Sequence, residues 1–134
     1  MQLNNARIFV VEDDPFNIGI ITMLLERMGA VVKVDSWGAD AKQQLLDFAP
    51  VDLVLLDLMI SDKIDGYDIY NEIYHLDTLE EVPIAIVSAS DPDIEMTRAR
   101  EQGFNGFIGK PIDFNQFPKR IIKLLDGEAV WHEN

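Results

Sequence analysis

Val51-Asp52-Leu53-Val54-Leu55-Leu56-Asp57 is a nearly continuous apolar run that stops on a carboxylate. A short run that is apolar at almost every position has the pattern of a strand covered on both faces, as in a parallel sheet. The pattern recurs on either side. Residues 7–12 end on Glu12, with Asp13 next, and residues 83–88 end on Ser88. Residues 31–35 and 106–110 complete a set of five, the last ending on Lys110. Between them lie helical patterns near residues 15–28, 39–48, 67–76 and 94–102, with a final helix starting near Asn115 and reaching Leu125. Strict alternation of strand and helix predicts an α/β fold on a parallel sheet with right-handed crossovers.

Punctuation agrees with that reading. Asp14-Pro15 is a helix cap followed by proline at the first helical position, and Gly29 and Gly103 suit left-handed helix stops. Pro118 is tolerated only in a first turn, which fixes the start of the last helix. On the first helix, Ile21, Leu24, Leu25 and Met28 form a core stripe, while Gly19, Thr22 and Glu26 face solvent. Phe16, Ile20 and Met23 share a third, apolar flank.

Composition sets the bounds. The 134 residues, 48% of them hydrophobic, suffice for one globular domain. Its core is expected over about residues 7–126, followed by a short tail, 127–134, with no output domain. There is no cysteine, so thiolate zinc sites and redox switching are excluded. No apolar stretch nears the ~20 residues that span a bilayer. The opening Met1-Gln2-Leu3-Asn4-Asn5 lacks a signal-peptide pattern, so a cytoplasmic, membrane-free protein is expected. A net charge of −13 argues against direct binding of nucleic acid. Residues 96–123 reverse that charge locally: Arg98, Arg100, Lys110, Lys119, Arg120 and Lys123 face only two acids, Glu101 and Asp113.

In open α/β sheets, ligands bind outside the carboxyl ends of the strands. Glu12, Asp13, Asp57, Ser88 and Lys110 would converge there from distant parts of the chain. Carboxylates brought that close raise one another's pKa unless a cation neutralises them. Mg²⁺ suits such a set, being a hard ion held by one or two carboxylates together with water and phosphate. The constellation therefore fits a phosphoryl group meeting a divalent cation on an aspartate.

Val10-Val11-Glu12-Asp13-Asp14-Pro15, Val54-Leu55-Leu56-Asp57-Leu58-Met59, Val87-Ser88-Ala89 and Gly109-Lys110-Pro111 together resemble the receiver domain of two-component response regulators. The likeness runs from about Ile8 to Leu125 and is nearest to the stand-alone, CheY-like type. It implies a doubly wound, flavodoxin-like sandwich with strand order 2-1-3-4-5. It also implies phosphorylation of Asp57 by a histidine kinase or a histidine phosphotransfer protein. By the same resemblance, Asp13, Asp57 and the Met59 backbone carbonyl hold Mg²⁺ (with Mn²⁺ as a substitute), and Glu12 acts through water. Lys110 and Ser88 contact the phosphoryl group, and Lys110–Pro111 is a cis bond. Ser88 and Phe107 form the switch: Ser88 is drawn inward, Phe107 fills the vacated space, and the face of helix 4, strand 5 and helix 5 changes shape for a protein target. Such a protein is no enzyme beyond promoting its own phosphorylation and dephosphorylation, and is a monomer or a phosphorylation-dependent dimer.

Departures from the family pattern matter too. The loop from Asp57 to Gly66 is one residue longer than usual, and Ser61 stands where proline is common. Extra mobility across residues 60–65, loosening the metal site, is the expected consequence. The Phe16, Ile20 and Met23 flank lies on the path of an incoming donor and is read as a kinase-docking surface. His75, His132, Trp37 and Trp131 have no partner pattern and are read as surface or packing residues. A haloacid-dehalogenase phosphatase would need a second Asp two residues after its nucleophile, where this chain has Met59. A flavodoxin would need a Ser/Thr/Gly-rich loop where Glu12-Asp13-Asp14 would repel the flavin phosphate. The remaining alternative is a receiver-shaped module that binds partners without phosphorylation.

Overall fold

A computed structural model of the chain describes residues 3–60 and 64–131. Strands and helices alternate through them: β1 (Arg7–Val11), α1 (Pro15–Arg27), β2 (Val31–Asp35), α2 (Ala41–Phe48), β3 (Leu53–Leu56), α3 (Gly66–Ile73), β4 (Ile84–Ser88), α4 (Pro92–Gln102), β5 (Gly106–Gly109) and α5 (Gln116–Leu125). A 3₁₀ turn at Asp77–Leu79 links α3 to β4. All strand pairs are parallel and the order is β2-β1-β3-β4-β5, the doubly wound arrangement that the alternation predicts. Among the described residues, no helix is long and apolar enough to cross a membrane.

The period-2 geometry of the strands divides the core into two layers. Phe9, Val11, Val54, Leu56, Ile84, Ile86 and Phe107 pack with α2, α3 and α4 on one face. Ile8, Val10, Leu53, Leu55, Ala85, Val87 and Ile108 pack with α1 and α5 on the other. Both sets are buried, which is why the central strands show no polar alternation in sequence. β2 lies at the edge and alternates exposed with half-buried positions instead.

Several boundaries differ from the sequence reading. The strands end before Glu12, Asp57 and Lys110, so these side chains sit just beyond the last ladder pairs. Asp57 is still anchored, because its N–H donates to the Val11 carbonyl at 3.0 Å. α3 starts one residue earlier than expected, at Gly66, where Asp65 and Asp68 form a capping box. α4 starts two residues earlier, at Pro92, because Asp91-Pro92 supplies the same cap-then-proline signal as Asp14-Pro15. Gly29 and Gly103 take the expected left-handed conformation. Thr22 is not solvent-facing as read: it is half-buried, with its hydroxyl covered, at the margin of the α1 core stripe.

The segment after α5 also departs from expectation. Val130 forms a parallel bridge with Gly106. Its N–H donates to the Asn105 carbonyl at 3.0 Å, and its carbonyl accepts from the Phe107 N–H at 2.8 Å. A Cβ on Gly106 would collide with the Val130 carbonyl, so this close approach needs glycine. His132 lies outside the described residues.

Gly66 is constrained in the same way. A Cβ there would stand 2.5 Å from the Asp57 carbonyl oxygen, and the Gly66 N–H donates to the Leu58 carbonyl at 2.9 Å. Gly66→Ala must therefore push α3 away from the end of β3. We expect a loss of about 1–3 kcal/mol in urea unfolding; an unchanged midpoint would show that the contact yields freely.

Candidate functional site

The parallel ladder delivers the polar residues to one edge of the sheet. Glu12 and Asp57 follow the adjacent central strands β1 and β3, while Ser88 closes β4 and Lys110 follows β5. Lys110 reaches back across β4. Its Nζ lies 2.5 Å from Glu12 Oε1 and donates to Asp57 Oδ2 at 2.9 Å. The rest of each carboxylate is also held. Asp14 N–H donates to Glu12 Oε2 at 3.2 Å, and Met59 N–H donates to Asp57 Oδ1 at 3.2 Å. Glu12 is 1% exposed and Asp57 6% exposed, whereas Asp13 faces solvent beside them. The Lys110–Pro111 bond is cis.

One oxygen from each of Glu12, Asp13 and Asp57 can be chosen so that all three lie within 4.8 Å of one another. Three hard oxygen donors at that spacing, two of them buried, fit a magnesium ion and suit no soft metal. Ser88 is buried at the end of β4, between β3 and β5, with its Oγ accepting from Ser90 N–H and paired with Ser90 Oγ, both at 3.1 Å. The Lys110 N–H donates to the Ser88 carbonyl at 2.9 Å, joining the ends of β4 and β5.

Of the five strand-end residues read from the sequence, Glu12, Asp13, Asp57 and Lys110 thus meet in one place, and Ser88 stands at the same edge of the sheet. Phe107 is buried under the same end of the sheet, with its ring already inside the α2–α3–α4 layer. The Asp14 side chain caps α1, accepting from Asn17 N–H at 3.0 Å. On the α1 flank, Phe16 is 74% exposed and Met23 also faces solvent, whereas Ile20 is half-buried against the core. Sequence reasoning missed two neighbours. Trp37, 78% exposed, lines a cavity of about 480 Å³ with Asp13, Pro15, Ile18 and Ile60. Ser90 holds Ser88. A large aromatic two residues after the strand-end acid Asp35 was the available signal for Trp37; Ser90 gave none.

The loop after Asp57 is pinned at its ends. Met59 and Asp65 form an antiparallel bridge, and Gly66 bonds to Leu58. Ser61, Asp62 and Lys63 lie outside the described residues.

Comparisons with known proteins agree with this geometry. Residues 8–122 match the response regulator receiver domain. The chain is 34% identical, over 88% of its length, to the transcriptional regulatory protein CssR of Bacillus subtilis, and spans only 50% of that relative. It is 26% identical to protein PilH of Pseudomonas aeruginosa, covering 91% of this chain and 99% of PilH. Its structure superposes with TM-score 0.77 on the receiver domain of a Pseudomonas aeruginosa sensor histidine kinase, at 25% identity, covering 92% of this chain and 99% of that one. That receiver domain has a magnesium ion coordinated in its active-site cleft.

Charge is finely opposed here. Burial pushes the Glu12 carboxyl up to about 6 from an ordinary 4.5, against the pull of Lys110 and with help from the Asp57 charge. For Lys110, burial acts downward, but hydrogen bonds and attraction to Glu12 and Asp57 win and hold it above its ordinary value. Between pH 4.5 and 6, folded Glu12 keeps a proton that the unfolded chain has released. This group's contribution is therefore fully present below 4.5 and is lost as pH rises through 6. In a carbon-detected NMR titration without divalent ions, the Glu12 carboxyl should show a midpoint near 6; an ordinary midpoint would contradict this balance.

Proposed function

Because the chain belongs to the response regulator receiver domain family, we propose that Asp57 accepts a phosphoryl group from a histidine kinase or a histidine phosphotransfer protein. The observation that carries this reading is the Lys110 ammonium set between buried Glu12 and Asp57, with Asp13 exposed alongside. It is a carboxylate poised as nucleophile inside a charge-balanced pocket.

Glu12, Asp13, Asp57 and the Met59 carbonyl would hold Mg²⁺, which when bound offsets negative charge on the phosphoryl oxygens. The chain's own groups do the rest. An Asp57 oxygen attacks phosphorus as the bond to the donor imidazole nitrogen breaks, and the imidazole takes up a proton. Lys110, already donating to Asp57, pairs with the transferred oxygens. Met59 N–H stays on Asp57 Oδ1, so the carboxylate keeps its orientation. Ala89 is exposed and small, leaving the approach open. The reaction is one of positioning and electrostatics, and the protein acts on nothing but its own phosphorylation state.

The switch reading needs one adjustment. Phe107 is already inside, so an inward swing of the ring is not what remains to be changed. What a phosphoryl group on Asp57 can change is Ser88, which would leave Ser90 and donate to the phosphoryl oxygens. Release of Ser90, two residues before α4, would pass that change to the α4–β5–α5 face as a population shift. A protein target on that face is the proposed readout, in the cytoplasm. On the donor side, exposed Phe16, Trp37 and Met59 surround the acidic pocket and offer an apolar rim for docking.

A phosphate-affinity gel tests the reading. With acetyl phosphate and Mg²⁺ the chain should give a retarded band that Asp57→Asn abolishes. Phe16→Ala should slow transfer from a histidine phosphodonor protein by about tenfold, with acetyl phosphate labelling unchanged. No retarded band would favour the phosphorylation-independent binding module, and a band persisting in Asp57→Asn would place the acceptor elsewhere.

A further inference from the structure

Residues 127–131 form a strap along β5 and create a groove that the five-stranded fold alone lacks. Val130 is buried and joined by backbone hydrogen bonds to Asn105, just before β5, and to Phe107 within it. Trp131 then lies under the Arg100 guanidinium of α4, 4.6 Å from its ring centroid, which fixes the strap at a second point. Between strap and α5 is a cavity of about 230 Å³. Gln116, Lys119, Arg120 and Lys123 of α5 line one wall; Ala129, Val130 and Trp131 line the other. Gln116, Lys119, Arg120 and Lys123 fall at a spacing that places them on successive turns of one helix flank.

The charge of this groove is the reverse of the molecule's. The chain carries −13, yet the lining holds three cations and no acid. Among the described residues, the ion pairs are those of Lys110 alone, so none of the three has a carboxylate of those residues within 4.0 Å. Lys119 and Lys123 are exposed and Arg120 half-buried, beside an aromatic wall held in place. Long cationic side chains on one wall, and an aromatic with a backbone edge on the other, suit an extended acidic peptide.

We propose that the α5–strap groove docks an acidic, extended segment of a partner protein. The proposal rests in part on reading α4–β5–α5 as the output face, and adds to it the chemistry of the partner. It also ties that partner to the switch, because the strap carbonyl that builds the groove accepts the Phe107 N–H. An occupant that shifts the strap therefore acts directly on the backbone of β5.

Calorimetric titration of the unphosphorylated chain with a hexaglutamate peptide at low salt tests this, with hexalysine as the control. Hexaglutamate should bind despite the net negative charge of the protein. Lys119→Glu combined with Lys123→Glu should weaken binding by about tenfold or more. Val130→Pro removes the N–H bonded to Asn105 but leaves every cation, and should weaken it comparably; Trp131→Ala gives the same reading without a backbone change. Absence of hexaglutamate binding, or binding unaffected by both strap variants, would overturn the proposal. No phosphorylation enters the measurement, so its failure stays separate from any failure of Asp57 to accept phosphate.

Discussion

The placement of one ammonium between two buried carboxylates governs the rest of this structure. Like charges 4 Å apart repel by about 4 kcal/mol at a partly screened protein site. Glu12 and Asp57 sit at the ends of adjacent strands, so the sheet that brings them together also sets them against each other. Lys110 resolves this from β5, three strands away from β1 and two from β3, reaching past β4. The doubly wound order is what makes that reach possible, since all three residues leave their strands at the same edge. A magnesium ion is the other agent able to balance the acids, and the exposed Asp13 leaves it a solvent-facing approach.

Backbone contacts around the pocket convert that balance into a fixed geometry. The approach of Gly66 to the Asp57 carbonyl, the Met59 N–H on Asp57 and the Met59–Asp65 bridge hold the loop start and end close to β3. Farther out, Tyr67 of α3 donates to Glu95 of α4 at 2.6 Å and lies under Arg98, tying the two helices together. α4 is thus linked to α3, the helix that starts beside Asp57.

Much of this was legible because strand-end chemistry is written locally. The apolar run 51–57 announces both a buried strand and the carboxylate at its end, and the runs ending at Glu12, Ser88 and Lys110 do the same. Helix starts were legible where a cap precedes proline, and the α4 start at Asp91-Pro92 was missed only by weighting apolar periodicity over that signal. The strap was not legible. One valine pairing with one glycine has no period, and its partner Gly106 reads as an ordinary strand residue until a neighbour needs its missing Cβ. Thr22 and Phe107 depend on packing depth, which a sequence pattern places on a face but does not measure.

Urea unfolding of Lys110→Met at pH 8, with and without saturating Mg²⁺, tests the central claim most directly. The substitution keeps length and removes charge. The account predicts a clear loss of stability without Mg²⁺, which Mg²⁺ restores because it neutralises the same two carboxylates. No loss without the ion, or a loss that Mg²⁺ leaves untouched, would contradict the view that these strand ends are held together by charge balance.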